Sequence, residues 1–481
     1  MVGLLCVLAL VAVACGDDDG SGTAAPTSAD DAEDTGAEEP VETAETVGGP
    51  IADGDGVLNV PDEYETIQAA VDAAGPGDLV LVAEGTYHEA VDIASTTGAP
   101  KENIVIRGVD RNRVVLDGRF ELQNGIRVLG VDGVAIENMT AQHYTRNGFF
   151  WTTDIEGYRG SYLSAIRNGD YGIYAFGARE GVLEHSYGAG SPDAGFYIGQ
   201  CYPCNAILDD VTAEYNGLGY SGTNSGGELY IINSTFRNNR AGVVPNSGSY
   251  EGCAPQRETT VVGNLIHGNN RDDGPSLSIG ILTQGLGFVA PGGIANVVER
   301  NRIWDHDIAG IGIAPFPEEN PINAIPADPP GDCLTDAETG SVDVVDDLPR
   351  PLLWPARRHL VRENVIGDSG VADIINAQSE EDDNRLCDNE FASSIPADIE
   401  TLAPCEGELL DHGDAGRSRF AEIAAREGRG EPGDYETYEF PEIRNFPGME
   451  DPLTAPPAAA DTIVIDVDAD RIGVPDLPEG P

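Results

Sequence analysis

A β-rich run passes through a polar anchor and a short turn, then restarts at a glycine, and this form recurs along the chain at a nearly constant interval. It is clearest in "IENMTAQHYTRNGFFW" (136–151), "IINSTFRNNRAGVVP" (231–245) and "VERNRIWDHDIAGIGI" (298–313). The anchors fall at Asn138, Ser161, His185, Asp210, Asn233, Asn264, Asn301, Asn364 and Asn389. The first four steps are 23, 24, 25 and 23 residues; the later ones, 31, 37, 63 and 25, mark insertions. Short strands at such a period, with no helix between them, require a stack in which every strand pairs with the coils above and below. That is a parallel β-solenoid of roughly a dozen coils. Asn at matching turns is expected to stack as a ladder of amides along the axis.

The open end of such a stack needs a cap. The stretch "YETIQAAVDAAGPGDLVLVAEGTYHEAVDI" (64–93) supplies one: Thr66 can N-cap a helix whose Ile67, Ala70, Val71 and Ala74 share a face, and Gly75-Pro76-Gly77 ends it. The strand Leu79 to Val82 then begins the first coil. Together with "NIVIRGVDRNRVVLDG" (103–118), this stretch resembles the N-terminal signature of right-handed parallel β-helix proteins of the pectin-lyase-like superfamily, over about residues 60 to 395. The resemblance implies an all-β fold, a single-stranded right-handed parallel β-helix with an N-terminal helical cap. That superfamily holds lyases, hydrolases, epimerases and non-catalytic binders, so it specifies fold and not reaction.

The expected organisation is a solenoid over 57–405, broken by a Pro- and Asp-rich loop at 315–358, and a Pro-rich C-terminal extension or cap at 406–481 that can return along the solenoid. The extension holds one short helix near Arg417 to Arg426 and a β-like "TIVIDVDADRI" (462–472). Before the solenoid, "MVGLLCVLALVAVACG" is apolar for the length of a signal-peptide core, too short to cross a bilayer. Its Ala12-Val13-Ala14-Cys15-Gly16 end resembles a bacterial lipobox, which implies cleavage before Cys15 and a lipid on its thiol. The acidic stretch 16–56 lacks the apolar residues needed to offset chain entropy and is expected to be a disordered tether. This reading puts the chain on the extracellular side of a bacterial membrane, lipid-anchored or secreted.

The net charge is −56, from 83 acidic and 27 basic residues. Nucleic acid is excluded as a partner, because phosphates need a basic face. A bare polyanion fits poorly as well. A monomer that meets a polysaccharide or cell-wall glycan fits better. Beyond Cys6 and Cys15, the six cysteines Cys201, Cys204, Cys253, Cys333, Cys387 and Cys405 are expected to form disulfides, with the pairing open.

Chemistry is less legible. Twelve of the 16 tyrosines lie between 144 and 250. Outward aromatics on successive coils would form a strip for sugar rings, with Trp151, Tyr174, Tyr197 and Tyr220 as its expected members. His143, Tyr144, Arg146, Arg167, Tyr171 and His185 sit in the same coils. They supply the base and cation types that a polyuronate lyase or epimerase needs; a glycoside hydrolase in the same groove is the other enzymatic alternative.

Asp305-His306-Asp307 resembles fragments of pectate-lyase (Trp-Ile-Asp-His) and epimerase (Asp-x-His-Asp) patterns but matches neither. It is expected to be a solvent-exposed turn with outward side chains and no bound metal, with His267 and Asp272 at comparable positions in the coil before. Asp466-x-Asp468-x-Asp470 resembles a calcium loop without its Gly and terminal Glu; a solvated strand face is expected there. No cofactor is assigned, and calcium alone stays open. Delivery of copper, known for other exported β-helices, sits poorly with three methionines. The expected function is glycan binding at a cell surface, with the enzymatic reading as the alternative.

Overall fold

The computed structural model describes residues 56–94, 101–318, 333–334, 342–343, 352–425, 432–439, 444–457, 460 and 466–478. The apolar segment 1–15 with Cys15, the acidic stretch as far as Asp55, and much of the 315–358 loop lie outside the described residues.

The chain winds as a right-handed parallel β-helix. Each coil visits a first sheet, a second sheet of three- to five-residue strands and a third sheet. In the first sheet one inward column runs through Leu58, Val80, Ile106, Ile136, Gly160, Leu183, Leu208, Ile231, Val261, Val298, Val361 and Leu386, each in register with the next. Strand alternation sends these side chains to one dry core, where they and their neighbours are almost wholly buried. Ten strands form the second sheet, from Gly85–Tyr87 to Val365–Ser369. The third runs from Val91–Ala94 to Ser394–Ile395.

From Asn138 on, two corners repeat along the solenoid. Where the first sheet turns into the second, one residue takes a left-handed conformation: Asn138, Tyr162, His185, Asp210, Asn233, Gly263, Arg300, Glu363 and Asp388. The next residue points inward and, where it is Ser or Asn, its side chain accepts the backbone N–H of its counterpart one coil before. Ser234 Oγ accepts from Val211 N (3.1 Å), Asn264 Oδ1 from Ser234 N (3.0 Å), Asn301 Oδ1 from Asn264 N (3.0 Å) and Asn364 Oδ1 from Asn301 N (3.0 Å). Asn389 accepts from Asn364, and Glu400, in the helical turn Ile399–Leu402, ends the ladder by accepting from Asn389 N and Nδ2 at 2.9 Å.

This corrects the repeat alignment. The ladder position is occupied by Leu163, Ser186, Val211 and Ser234 before the asparagines begin. The anchors His185, Asp210 and Asn233 therefore lie one residue early, at the left-handed corner, and Ser161 lies two early. Asn138 is likewise a corner residue and not a rung.

The second corner, from second to third sheet, repeats the device. Its left-handed residues are His143, Arg167, Gly190, Tyr215, Asn238, Gly268, Asp305 and Asp368. Its ladder runs through Asn216, Asn239 and Asn269, each accepting from a backbone N–H one coil before at 2.9–3.1 Å.

The N-terminal helix spans Ile67–Ala73, with Thr66 Oγ1 accepting from Ala69 N at 3.1 Å, and Ile67, Ala70, Val71 and Ala74 buried as the pattern predicts. One strand precedes it: Val57–Val60 pairs with Leu79–Val82, so the first coil begins earlier than the sequence suggested and the helix lies within it. The cysteines pair as Cys201–Cys204, Cys253–Cys333 and Cys387–Cys405, which fits an oxidising compartment. A helix spans Ala415–Ala424, packed by Phe420 against Gly312 of the third sheet. Asp466–Asp470, expected as a strand face, instead leads into a 3-10 turn at Ala469–Arg471.

From Arg444 on, the described parts of the tail lie on the outer faces of the first and second sheets, held by arginine N–H groups that donate to tail carbonyls. Arg107 donates to Pro452, Ala455 and Pro456, Arg111 to Pro447, Arg300 to Ala469 and Ile472, and Arg302 to Pro475. Arg107 and Arg111 are fully buried; Glu137 pairs with Arg107 at 2.7 Å.

Loss of one rung should be expensive. Asn301→Ala removes an acceptor for Asn264 and donors to Val261 O and Asn364 Oδ1. Urea unfolding should show a loss of about 3 kcal/mol, because several buried polar groups lose partners at ~1–3 kcal/mol each. A change within about 0.5 kcal/mol, as for an ordinary surface site, would contradict the ladder's role.

Candidate functional site

On the outer face of the third sheet, register brings Arg127, Phe150, Tyr174 and Tyr197 into one column on successive coils. Their strand neighbours Phe149, Trp151, Ile173, Ala175, Phe196 and Ile198 alternate inward and are buried. Phe150 and Tyr174 stack at 4.5 Å with an interplanar angle of 11°. Tyr171 stacks on Tyr174 at 4.2 Å, and Tyr197 meets both edge-on at 4.9 and 4.8 Å. Phe176 closes the cluster 5.7 Å from Tyr174. Phe150, Tyr171, Tyr174 and Phe176 are half-buried, whereas Tyr197 is 1% exposed.

Carboxylates surround these rings. Tyr197 Oη donates to the Glu251 carboxylate at 2.6 Å. Burial, then Asp193, raises the Tyr171 hydroxyl well above the usual phenol range; burial, then Glu251, does the same for Tyr197. Both hydroxyls stay protonated at any physiological pH and are not bases; that of Tyr197 is a hydrogen-bond donor. The two cations at the margin are paired: Arg127 with Asp92 at 2.9 Å and Arg146 with Asp170 at 3.0 Å.

The expected strip is therefore present with different members. Trp151 and Tyr220 point into the core, Trp151 Nε1 donating to Val134 O at 3.2 Å and Tyr220 Oη to Ile198 O at 3.2 Å. Tyr197 is in the column but covered. Phe150, which sequence reasoning left out, lies between inward Phe149 and Trp151. In an unbroken aromatic triplet, alternation alone does not say which residue faces out; the register with Arg127 does.

The proposed catalytic residues do not converge. Tyr144 is a core residue whose Oη donates to Glu89 O at 2.6 Å. Tyr171 and Arg146 belong to the third-sheet face. His185 sits at a first corner beside Asp210 at 2.7 Å, its ring 4.7 Å from Tyr162.

His143 and Arg167 occupy adjacent second corners. His143 Nδ1 meets Asp117 Oδ1 at 3.2 Å, and the ring lies 4.6 Å from Phe120. Burial lowers the His143 pKa; Asp117 opposes that shift and Arg167 adds to it. Asp117 is itself held below the usual carboxylate range against burial, by Arg119 N, Gln142 and His143. This histidine–carboxylate pair is suited in kind to acid–base work. However, Arg167 donates to the carbonyls of Tyr435 and Glu436, so the tail occupies the guanidinium that a substrate would need.

Asp305, His306 and Asp307 are explained by the second corner. Asp305 is its left-handed residue, and Asp305 and Asp307 are exposed. His306, expected to point outward, is 1% exposed and stands in the ladder column after Asn239 and Asn269. Asn269 Nδ2 donates to Phe236 O at 3.0 Å, and His306 Nε2 makes the matching contact to Ile266 O at 3.2 Å. Its counterpart one coil before is Asn269, not His267. Burial takes its pKa down to about 3, with the Ile266 carbonyl opposing and His267 adding. A neutral inward imidazole between two diverging carboxylates is a structural rung. Among the described residues, no three His, Cys, Asp or Glu side chains converge as metal ligands would.

No family model and no curated protein matches the sequence. Solved structures of like architecture include the A-module of mannuronan C-5 epimerase AlgE4 from Azotobacter vinelandii (15% identity, 71% of this chain and 93% of that one, TM-score 0.43). They also include pectate lyase Pel9A (12%, 73% and 83%, TM-score 0.38) and pectin methylesterase PemA from Erwinia chrysanthemi (12%, 69% and 92%, TM-score 0.34). At this identity the likeness concerns fold, and no residue role is taken from it.

The His306 assignment has a pH signature. Its folded pKa lies below the unfolded value of about 6.5, so its contribution is complete above that pH and is lost as pH falls toward 3. His306→Asn restores the ladder's usual residue. Relative to the parent, the variant should gain about 1–2 kcal/mol in going from pH 8 to pH 5. Urea unfolding at both pH values checks this; an unchanged difference would mean His306 is not a buried neutral rung.

Proposed function

We propose that this chain is an exported β-helix protein that binds polysaccharide along the outer face of the third sheet. The observation that carries the reading is the in-register column Phe150–Tyr174, extended by Tyr171 and bordered by Tyr197 and Glu251. Half-exposed rings on successive coils repeat at about 4.8 Å, a spacing set by strand pairing and close to the length of one sugar unit in an extended chain. Sugar C–H groups can lie along the apolar edges of the stacked Phe150, Tyr174 and Tyr171 rings, while hydroxyls meet the carboxylates and phenols around them.

The electrostatics favour a neutral polymer over a uronate. Asp170, Asp193 and Glu251 lie beside the rings, and Arg127 and Arg146 are already paired, so a carboxylated sugar would meet repulsion without a ready counter-charge. The protonated tyrosines could orient hydroxyls but could not abstract a C5 proton at neutral pH. Binding, and not elimination or epimerisation, is what this face supports best.

The location is part of the reading. The disulfides fit export. A lipid on Cys15, with residues 16–56 as tether, would hold the solenoid at a cell surface. Cys15→Ala should then release protein to the medium; equal retention would remove the anchor from the account.

The binding claim is tested on insoluble neutral polysaccharides (cellulose, chitin, β-1,3-glucan, xylan) with pectate as the anionic comparison. Phe150→Ala combined with Tyr174→Ala should keep the parent's circular dichroism and weaken retention on a neutral polymer by about ten-fold. Undiminished retention, or a preference for pectate, would contradict the proposal.

A further inference from the structure

The outward column at the end of the second-sheet strands runs Glu214, Arg237, His267, Trp304, Gly367. Arg237 caps Glu214 at 2.8 Å. His267 and Trp304 then stack with centroids 4.1 Å apart and an interplanar angle of 8°. The position above Trp304 carries no side chain. A β-carbon placed on Gly367 would meet no atom within 4 Å, unlike the many solenoid glycines that abut backbone or a ring. One face of the indole is therefore seated on an imidazole, and the other looks into a slot where the next side chain of the column would have stood.

The rest of the slot is polar. Asp305 and Asp368, the left-handed corner residues of the two coils, are exposed beside it. The other two tryptophans are buried, and their indole N–H groups donate to Val134 O and to Glu318 Oε2 at 3.2 and 2.8 Å. Among the described residues, the Trp304 Nε1–H has no partner and is not buried. Burial takes His267 down to about 4, so the ring under the indole is uncharged at neutral pH.

We propose that Trp304, seated on His267 beneath Gly367 and flanked by Asp305 and Asp368, is a second carbohydrate subsite that takes one neutral pyranose residue. The indole accepts the apolar C–H face of the sugar. Its Nε1–H and the two carboxylates supply one donor and several acceptors for ring hydroxyls. The carboxylates disfavour a uronate at the same place. The subsite lies on a different sheet from the Phe150–Tyr174 column and does not depend on that column's role. With both in use, a long glycan could be held at two points, which raises its retention without any new contact.

Tryptophan quenching isolates the site, since Trp304 is the one solvent-reachable indole of the three. Acrylamide quenching is followed during titration with cellohexaose, laminarihexaose, chitohexaose, hexagalacturonate and tetramethylammonium. At least one neutral hexaose should lower the quenching constant about two-fold at millimolar concentration. Gly367→Leu, which fills the slot, should weaken that protection about ten-fold. Trp304→Ala should weaken calorimetric binding of the same hexaose to a similar extent. The Phe150→Ala, Tyr174→Ala variant should leave the protection intact, so failure here and failure of the third-sheet reading are told apart. The subsite is overturned if no neutral hexaose protects Trp304, if protection survives Gly367→Leu in a folded protein, or if only hexagalacturonate or tetramethylammonium protects.

Discussion

The structure depends on its corners: a left-handed residue followed by an inward one that, at the first corner from Ser234 on, is polar. A left-handed conformation costs a non-glycine residue about 1 kcal/mol or more. Here it is adopted by residues as different as Tyr162, Arg167, Glu363 and Asp305. Where Ser or Asn comes next, its side chain offsets this cost by accepting a backbone N–H from the neighbouring coil, which satisfies a buried donor that no strand reaches. Because each Asn amide is at once acceptor and donor, one rung fixes the height of the next. Register between coils follows, and from register follow the inward apolar columns and the outward aromatic one.

The sequence revealed the period, the fold and the helical cap because these rest on local chemistry that repeats. It misplaced the early anchors because the ladder there is built from Leu163, Val211 and two serines, while the polar residue that catches the eye, His185 or Asp210, is the corner before it. The same ambiguity hid His306. An Asp-His-Asp triplet looks like a site, but its phase relative to Asn269 makes the histidine a rung and the aspartates its solvent-facing neighbours.

The aromatic strip was legible as a composition and not as a list. Which of Phe149, Phe150 and Trp151 faces out depends on pairing with Ile126, Arg127 and Val128, a contact 23 residues distant in sequence. The tail was less legible still. Its course is set by arginine donors on the solenoid meeting backbone carbonyls, and a carbonyl leaves no mark in a sequence. Those arginines are thereby withdrawn from the surface of a chain with net charge −56.

If the chain binds glycan on the third sheet, the contact is set by which residues of the aromatic column the register turns outward. Hydroxyl-radical footprinting, with and without a bound neutral polysaccharide, tests it at residue level. Protection is expected at Phe150, Tyr171 and Tyr174, with Tyr162 and Tyr230 on the first-sheet side unchanged. Protection at Tyr162 or Tyr230 instead, or none at Phe150 and Tyr174 while the polymer is bound, would contradict it.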